Sequence, residues 1–248
     1  MTVKEILNNI YGTEESEELS DDDIKFAENR KIRFKREYGV EQGQAVSEEN
    51  MRELENCFGK IPDALKKFYF LCGNNPNVVV GYQDQWFLPE SYKKWDLLKY
   101  EKGLMIANEN QGVCQALIRE CDLGKENPPV YVVAAFDEGK KIYKPCAASV
   151  DEFIKAFLMY QGSLCMPYWN ENFYFINENE FHLIVNNFSE YDFKFENWIV
   201  DGVVRFFYDT PDSVICVMGD DLQLHYGARS KESFEQLDEL LGDLGEIG

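Results

Sequence analysis

Two adjacent aspartates, Asp220 and Asp221, are the residues whose type and spacing most readily suggest chemistry. Paired carboxylates can share acid and base roles or hold Mg²⁺. They follow Gly219 between two apolar runs, which predicts a hairpin turn, and adjacent side chains in a turn generally point apart. A solvated turn is the favoured interpretation, and a catalytic or metal-binding pair is the alternative.

Histidines and cysteines are too dispersed to indicate a catalytic or metal site. His182 and His225 fall in separate predicted elements, and the sequence has no HExxH, GxSxG or Cys/His ligand pattern. The seven cysteines form no C-x-x-C pair, and most lie in apolar runs. Buried, reduced thiols explain this best, so we expect a cytoplasmic, non-catalytic protein with no metal or cofactor.

Neither phosphate binding nor membrane insertion is indicated. The sequence has no glycine-rich phosphate loop. Its longest apolar run, residues 130–136, is far shorter than the roughly 20 residues that span a bilayer. The N-terminus also lacks the pattern of a signal peptide.

Charge is the most marked feature of the composition. The 45 acidic and 25 basic residues give a net charge of −20. Residues 163–248 hold 17 acidic and 4 basic residues, a net charge of −13. Such a segment repels nucleic-acid phosphates and anionic lipids, so we expect neither as a partner. The charge serves either solubility or attraction to a basic protein.

The stretch ENCFGKIPDALKKFYFLCGN, residues 55–74, predicts scaffold rather than a site. Ser47 is placed to cap a first helix, Gly59 to end it, and Pro62 to open a second. The second helix carries one apolar stripe at helical spacing, formed by Leu65, Phe68, Tyr69 and Cys72.

The following residues predict a sheet closed by a helix. The capping pattern of Ser149 and Glu152 starts that helix, and Gly162 ends it. Residues 47–162 therefore read as a helix–helix–sheet–helix α+β domain, preceded by a helical extension over residues 1–46 with Ser20 as an N-cap. The predicted strands are residues 78–82, 104–107, 113–118, 130–136 and 141–144.

The acidic last third, residues 163–248, predicts a smaller antiparallel α+β domain. A helix capped by Asn177 is followed by a hairpin over residues 198–208, with Asp201-Gly202 as its turn. A second hairpin spans residues 214–226, and a final helix begins near Ser230.

The segment FGKIPDALKKFYFLCGN resembles the signature of the SMI1/KNR4 (SUKH) superfamily. LMIANENQGVCQALI, NPPVYVV and SVDEFIKAFL resemble its central strands and closing helix, in the same order. The resemblance covers residues 47–162, with Ile61 where Leu is more usual, and implies the SMI1/KNR4 fold there. Bacterial members are commonly immunity proteins that bind and neutralise a toxin, whereas fungal members are regulators linked to cell-wall synthesis and signalling.

Two non-catalytic functions follow from this resemblance. The first is an immunity protein whose carboxylates attract a basic toxin such as a nuclease and occlude its active site. The second is an intracellular regulatory or scaffold protein. The sequence specifies no oligomeric state. For Trp86, the alternative prediction is burial in the core rather than contact with a protein partner. The predicted partner contacts are Asp84, Trp86, Asp209, Asp212, Asp220 and Asp221.

Overall fold

The computed structural model describes residues 1–12, 21–41, 43–80, 84–94, 103–137 and 140–247. The chain divides into two compact units. One, here called the sheet-A unit, comprises Ser16–Ile154; the other, the sheet-B unit, comprises Met1–Glu15 with Lys155–Gly248. Among the described residues, no helix is long and apolar enough to cross a membrane.

Both units mix helices with antiparallel sheets, which confirms the predicted α+β class. The helices are α1 (Val3–Asn9), α2 (Asp21–Tyr38), α3 (Glu48–Phe58), α4 (Asp63–Cys72), α5 (Pro76–Val79), α6 (Pro89–Lys94), α7 (Val150–Ser163), α8 (Glu178–Asn187) and α9 (Lys231–Leu241). The strands are β1 (Gln85–Trp86), β2 (Gly103–Asn108), β3 (Cys114–Arg119), β4 (Val130–Asp137), β5 (Lys140–Ala147), β6 (Tyr168–Trp169), β7 (Tyr174–Phe175), β8 (Ser189–Glu190), β9 (Phe195–Glu196), β10 (Val203–Tyr208), β11 (Ser213–Met218), β12 (Gln223–Ala228) and β13 (Glu246–Ile247).

The sheet-A unit contains a five-stranded meander in the order β1-β2-β3-β4-β5. Helices α3 and α4 start where the capping pattern predicts, since the Ser47 side chain accepts from Asn50 N and α4 follows Pro62 directly. The predicted stripe of α4 is buried at all four positions, so the periodicity located the inward face of this helix correctly.

The sheet-B unit contains strands in the order β13-β7-β12-β11-β10-β8, with β6 beside β12 and β9 beside β10. One sheet face packs against Ile184 of α8 and Leu237 of α9. On the other face, the rings of Phe157 in α7 and Trp198 lie 5.3 Å apart. Because both faces are covered, β11 is buried at all six positions.

The first residues of α8 and α9 are fixed by N-terminal side-chain caps that the sequence predicts. Asn177 accepts from the backbone of Glu180, whose carboxylate accepts in return from Asn177 N. Ser230 accepts from Ser233 N at the start of α9. These caps satisfy backbone N–H groups that have no partner within the helix.

Three local predictions differ from the structure. Residues 76–79 form α5 instead of a strand, because the Asn75 side chain caps a turn opened by Pro76. In the segment 198–208 only β10 is a strand, and its hairpin partner is β9. Gly162 lies within α7 rather than after it. The predicted cap Ser20 and residues 81–82 lie outside the described residues.

The first 46 residues belong to both units rather than forming one extension. In the sheet-B unit, Tyr11 Oη donates to Leu158 O at 2.8 Å. In the sheet-A unit, Arg30 of α2 donates to Val80 O, and Tyr38 Oη lies 2.9 Å from Trp86 O. The predicted boundary after residue 162 lies near the end of α7, whereas the units divide after Ile154.

Candidate functional site

Asp84 and Trp86 lie in the interior of the sheet-A unit. Each is 1% exposed. The Trp86 ring packs against Phe68 at 4.2 Å and Phe153 at 5.8 Å between centroids. Asp84 Oδ1 accepts from Asn110 N at 3.3 Å in the turn between β2 and β3. A partner's surface does not reach these two side chains, so Asp84 and Trp86 are not part of the proposed contact surface. Trp86 lies in the core, as the alternative prediction for this residue states.

Asp209 and Asp212 lie in the turn between β10 and β11, and Asp212 is engaged within the fold. Its Oδ1 accepts from Thr210 Oγ1 at 2.8 Å and from Ser233 Oγ at 2.9 Å. Its Oδ2 accepts from Ser230 N at 3.2 Å. Burial alone would raise the pKa of Asp212, but these hydrogen bonds outweigh it and lower the pKa. Asp212 therefore fixes the start of α9, whereas Asp209 is exposed.

Asp220 and Asp221 lie in the turn between β11 and β12, at the opposite end of β11 from Asp209 and Asp212. Six residues of strand separate the two turns, a distance of about 20 Å. The four aspartates of sheet B therefore do not form one surface. Both Asp220 and Asp221 are exposed, as predicted for a solvated turn.

A second loop joins Asp220 and Asp221 at this end of the sheet. Asp220 N donates to Asp201 O at 3.0 Å, so the loop between β9 and β10 lies against the β11–β12 turn. Asp201 is exposed, and Ile199 in the same loop is 42% exposed. We call the set Ile199, Asp201, Asp220 and Asp221 the acidic tip.

The backbone of the acidic tip is strained. In the described part of the chain, positive φ in a non-glycine residue occurs at Asn197 (57°), Ile199 (52°) and Leu222 (51°), all in these two loops. This conformation costs about 1–2 kcal/mol per residue and is most unusual for a β-branched residue such as Ile199. Such strain persists only where the surrounding structure enforces it, and it is concentrated at functional sites.

Gly202 makes the close approach of the two loops possible. Its φ is +94°, and a Cβ atom there would collide with the Asp220 carboxylate. Glycine alone combines this backbone conformation with the missing side chain. The position of Asp220 over the β9–β10 loop is thus encoded at Gly202.

Two basic residues of the sheet-B unit pair with glutamates rather than with Asp220 or Asp221. Arg205 lies 4.0 Å from Glu190, and Lys231 pairs with Glu235 at 3.1 Å. Within the described residues, neither Asp220 nor Asp221 forms an ion pair. No group of three potential metal ligands occurs among those residues either. Asp220 and Asp221 thus present exposed carboxylates at this end of the sheet.

His225 is a packing residue in the middle of sheet B. Its Nε2 lies 3.1 Å from Ser163 O, and its ring packs against Trp169 and Phe173. Burial lowers the pKa of His225 from 6.5 to about 4, so the ring is neutral at physiological pH. Cys216 lies directly across from it on β11, and burial raises the pKa of that thiol. An un-ionised thiol of this kind is a poor nucleophile.

The other histidine and cysteines give no reactive cluster. His182 is exposed on α8, with Nδ1 3.2 Å from Glu178 O. None of the seven cysteines, all of which lie within the described residues, forms a disulfide. The expectation of buried thiols is wrong for Cys57 and Cys121, which are exposed; Cys57 lies beside the inward stripe of α3, and Cys121 lies in a short 3-10 turn. The buried or half-buried cysteines are Cys72, Cys114, Cys146, Cys165 and Cys216.

Ile199 and the outer face of α4 are not among the contact residues predicted from the sequence. Phe70 and Leu71 there are 57% and 54% exposed. Both lie off the inward stripe of α4, which is the signal that could have identified them. For Ile199 the sequence carries no such signal, since its exposure follows from a left-handed backbone that a β-branched residue rarely adopts.

Comparison of the chain with protein-family models, curated proteins and solved structures found no significant match. The resemblance of residues 47–162 to the SMI1/KNR4 superfamily thus remains a prediction from its motifs.

Proposed function

We propose that this chain is a non-catalytic binding protein of the immunity type, and that its acidic tip contacts a basic protein such as a toxin nuclease. The observation that carries the proposal is the tip itself: Asp220 and Asp221 form no ion pair within the described residues, and their turn is hydrogen-bonded to the loop that carries the strained and exposed Ile199. Charge, preorganisation and an apolar contact are thereby combined on one small surface.

Electrostatics supports a basic partner. The net charge of −13 over residues 163–248 attracts a cationic protein over about a Debye length, about 8 Å at physiological salt. Such steering raises association rates and disfavours acidic competitors. The same field repels nucleic acid, so the chain competes with a nuclease's substrate for the nuclease's cationic surface rather than binding the substrate.

Preorganisation supports tight binding through the two loops. Hydrogen bonds from Asp220 N to Asp201 O and from Gly219 N to Val203 O, both 3.0 Å, hold them together before a partner arrives. Loops that are already ordered lose less conformational entropy on binding. Ile199 can then insert into an apolar recess while the carboxylates pair with Lys or Arg at its rim, the arrangement of a binding hot spot.

The neutralising mechanism is occlusion. A bound acidic tip would place its carboxylates where a nuclease holds phosphate oxygens, excluding the substrate without any covalent change. The resemblance to the SMI1/KNR4 superfamily points to the same role.

The proposal is tested by identifying the partner and measuring its affinity. The tagged full chain is incubated with lysate of its native host at low salt, and any stoichiometric partner is identified and purified. We expect a basic protein whose dissociation constant rises with ionic strength. Replacing both Asp220 and Asp221 by Asn should weaken binding by at least about tenfold.

Asp209→Asn is the matched control, because Asp209 is an exposed turn aspartate at the other end of the same sheet. It should leave the affinity within about twofold of the unmodified chain. A dissociation constant that changes neither with ionic strength nor with the substitutions at Asp220 and Asp221 would refute the proposal. Expressing the partner in cells, with and without this chain, separates the two functions. If the partner is toxic and this chain protects the cells, the chain is an immunity protein; if the partner is harmless, the regulatory alternative is favoured.

A further inference from the structure

A second exposed surface lies on α4 of the sheet-A unit and, unlike the acidic tip, carries large apolar side chains. Five residues of α4 form its outer stripe, spaced as neighbours on a helix. Two of them, Phe70 and Leu71, are large apolar residues exposed by more than half. The full outer stripe of α4 is Asp63, Lys66, Lys67, Phe70 and Leu71.

This outer stripe continues into a groove between α3 and α4. Phe70 lines the groove beside Met51 and Arg52. Lys66 of α4 forms an ion pair with Glu55 of α3 across it. The groove thus has an apolar floor and a rim that is partly neutralised within the fold.

The charge of this surface is balanced, unlike that of the whole chain. The residues lining the stripe and groove include three acidic and three basic side chains, against a net charge of −20 overall. Two copies of so acidic a chain repel each other at most approaches. Here they can approach without facing an excess of carboxylates, and both present apolar area. The acidic side chains are Glu48, Glu55 and Asp63, and the basic ones are Arg52, Lys66 and Lys67.

We infer that the outer stripe of α4 docks on the same stripe of a second copy, forming a two-fold symmetric dimer. In such a contact each copy uses the same patch, and two-fold dimers are the commonest closed assemblies. With the axis between positions 70 and 71, Phe70 of each copy packs on Leu71 of the other, and the last turns of the two α4 helices, which end at Cys72, overlap in antiparallel orientation. The two Lys67 ammonium groups then lie about 10 Å apart along the helices, where salt screens their repulsion.

The dimer is weak and strengthens with salt. A stable interface buries about 800 Å² on each partner, and one helix stripe offers less. Its dissociation constant is expected in the high-micromolar to millimolar range. Added salt screens the repulsion between two chains of charge −20 while leaving the apolar contact intact. This contact is independent of the acidic tip and of the function proposed for it.

The test is sedimentation equilibrium of the purified full chain over a concentration series at low and high salt. We expect a monomer–dimer equilibrium that shifts toward dimer at high salt. The double substitution Phe70→Ser with Leu71→Ser should raise the dissociation constant at least about tenfold. Ile32→Ser on α2 is the control, because Ile32 is 68% exposed but lies outside this stripe; it should leave the dimer unchanged.

Three results would overturn the inference. The first is a monomer at every concentration and salt. The second is a dimer that persists after both serine substitutions, with circular dichroism showing that the variant is folded. The third is an assembly that weakens with added salt and is lost in the Glu239→Lys variant. That result would indicate that the acidic, exposed face of α9 in one copy binds the lysines of α4 in the other.

Discussion

The two turns at the ends of β11 carry the same residue type but have opposite roles. In the β10–β11 turn, Asp212 accepts three hydrogen bonds and holds the start of α9. In the β11–β12 turn, Asp220 and Asp221 are exposed and form no ion pair within the described residues. The first turn uses a carboxylate to stabilise the fold, and the second presents carboxylates to solvent.

This difference shows that the neighbours of an aspartate decide its role. Thr210, Ser230 and Ser233 provide donors for Asp212, two of them from a helix start that reaches back to the turn. The residues near Asp220 and Asp221 provide a strained loop instead. Strain at one end and satisfied hydrogen bonds at the other are the reason that we propose the tip, and not the β10–β11 turn, as the contact surface.

The largest expected effect concerns His225 on β12, the strand that pairs with β11. The pKa of His225 is about 4 in the fold and 6.5 when unfolded, so the unfolded chain binds the proton more readily. Stability is therefore full above pH 6.5, falls as the pH drops toward 4, and levels off below that. The loss is about 3 kcal/mol, measured by urea unfolding across this pH range.

His225→Gln serves as the control for this pH dependence, because it keeps a donor for Ser163 O but does not titrate. The variant should lose most of the slope between pH 6.5 and 4, whatever its stability at neutral pH. An unchanged slope would show that other groups cause the acid sensitivity and that His225 is not the buried titrating group.

The next effect sharpens the contrast between the turns. Asp212→Ala should destabilise the chain by about 2–3 kcal/mol at neutral pH, since it leaves Thr210, Ser230 and Ser233 without their charged acceptor. Because the pKa of Asp212 is lowered in the fold, this contribution is present above its usual value of 3.8 and is lost at lower pH. Urea unfolding at pH 7 measures the difference, and a loss below about 0.5 kcal/mol would contradict the structural role.

A smaller effect is expected at the glycine that joins the tip loops. Gly202→Ala should cost about 1–2 kcal/mol, because a Cβ at φ +94° would also displace the Asp220 carboxylate. Gly112→Ala is the matched control, with φ +74° and no atom within 4 Å of a Cβ. Gly202→Ala should weaken partner binding and Gly112→Ala should not; equal effects on binding would show that the position of Asp220 is irrelevant.

The smallest effect on stability is expected at the tip carboxylates. Replacing Asp220 and Asp221 together by Asn should change the free energy of unfolding by less than about 0.5 kcal/mol, because both side chains are exposed. Thermal and urea unfolding provide the measurement. A loss as large as that of Asp212→Ala would erase the contrast between the turns and make the tip a structural element.

Much of the fold could be predicted from local patterns. The caps at Ser47, Asn177 and Ser230 and the apolar stripe of α4 act within a few residues, and the structure has each where the sequence places it. The short strands β6, β7 and β13 could not be predicted, since two residues carry no periodicity and pair only with segments distant in sequence. For α5, a local cap overrode a β-branched run.

The candidate site was predictable only in part. The exposure of Asp220 and Asp221 follows from the turn chemistry around Gly219, but the engagement of Asp212 depends on Ser233, which is 21 residues away. Sequence patterns likewise gave no means of separating the exposed aspartates from Asp84, which a neighbouring loop encloses. Burial and long-range hydrogen bonds, rather than residue type, decide which carboxylates can meet a partner.

The role of the acidic tip in binding can be measured by hydrogen–deuterium exchange of the purified complex with the captured partner. We expect slower exchange on binding in residues 197–202 and 219–222, with little change in residues 209–212 at the other end of β11. Protection elsewhere, with the acidic tip exchanging as in the free chain, would contradict it.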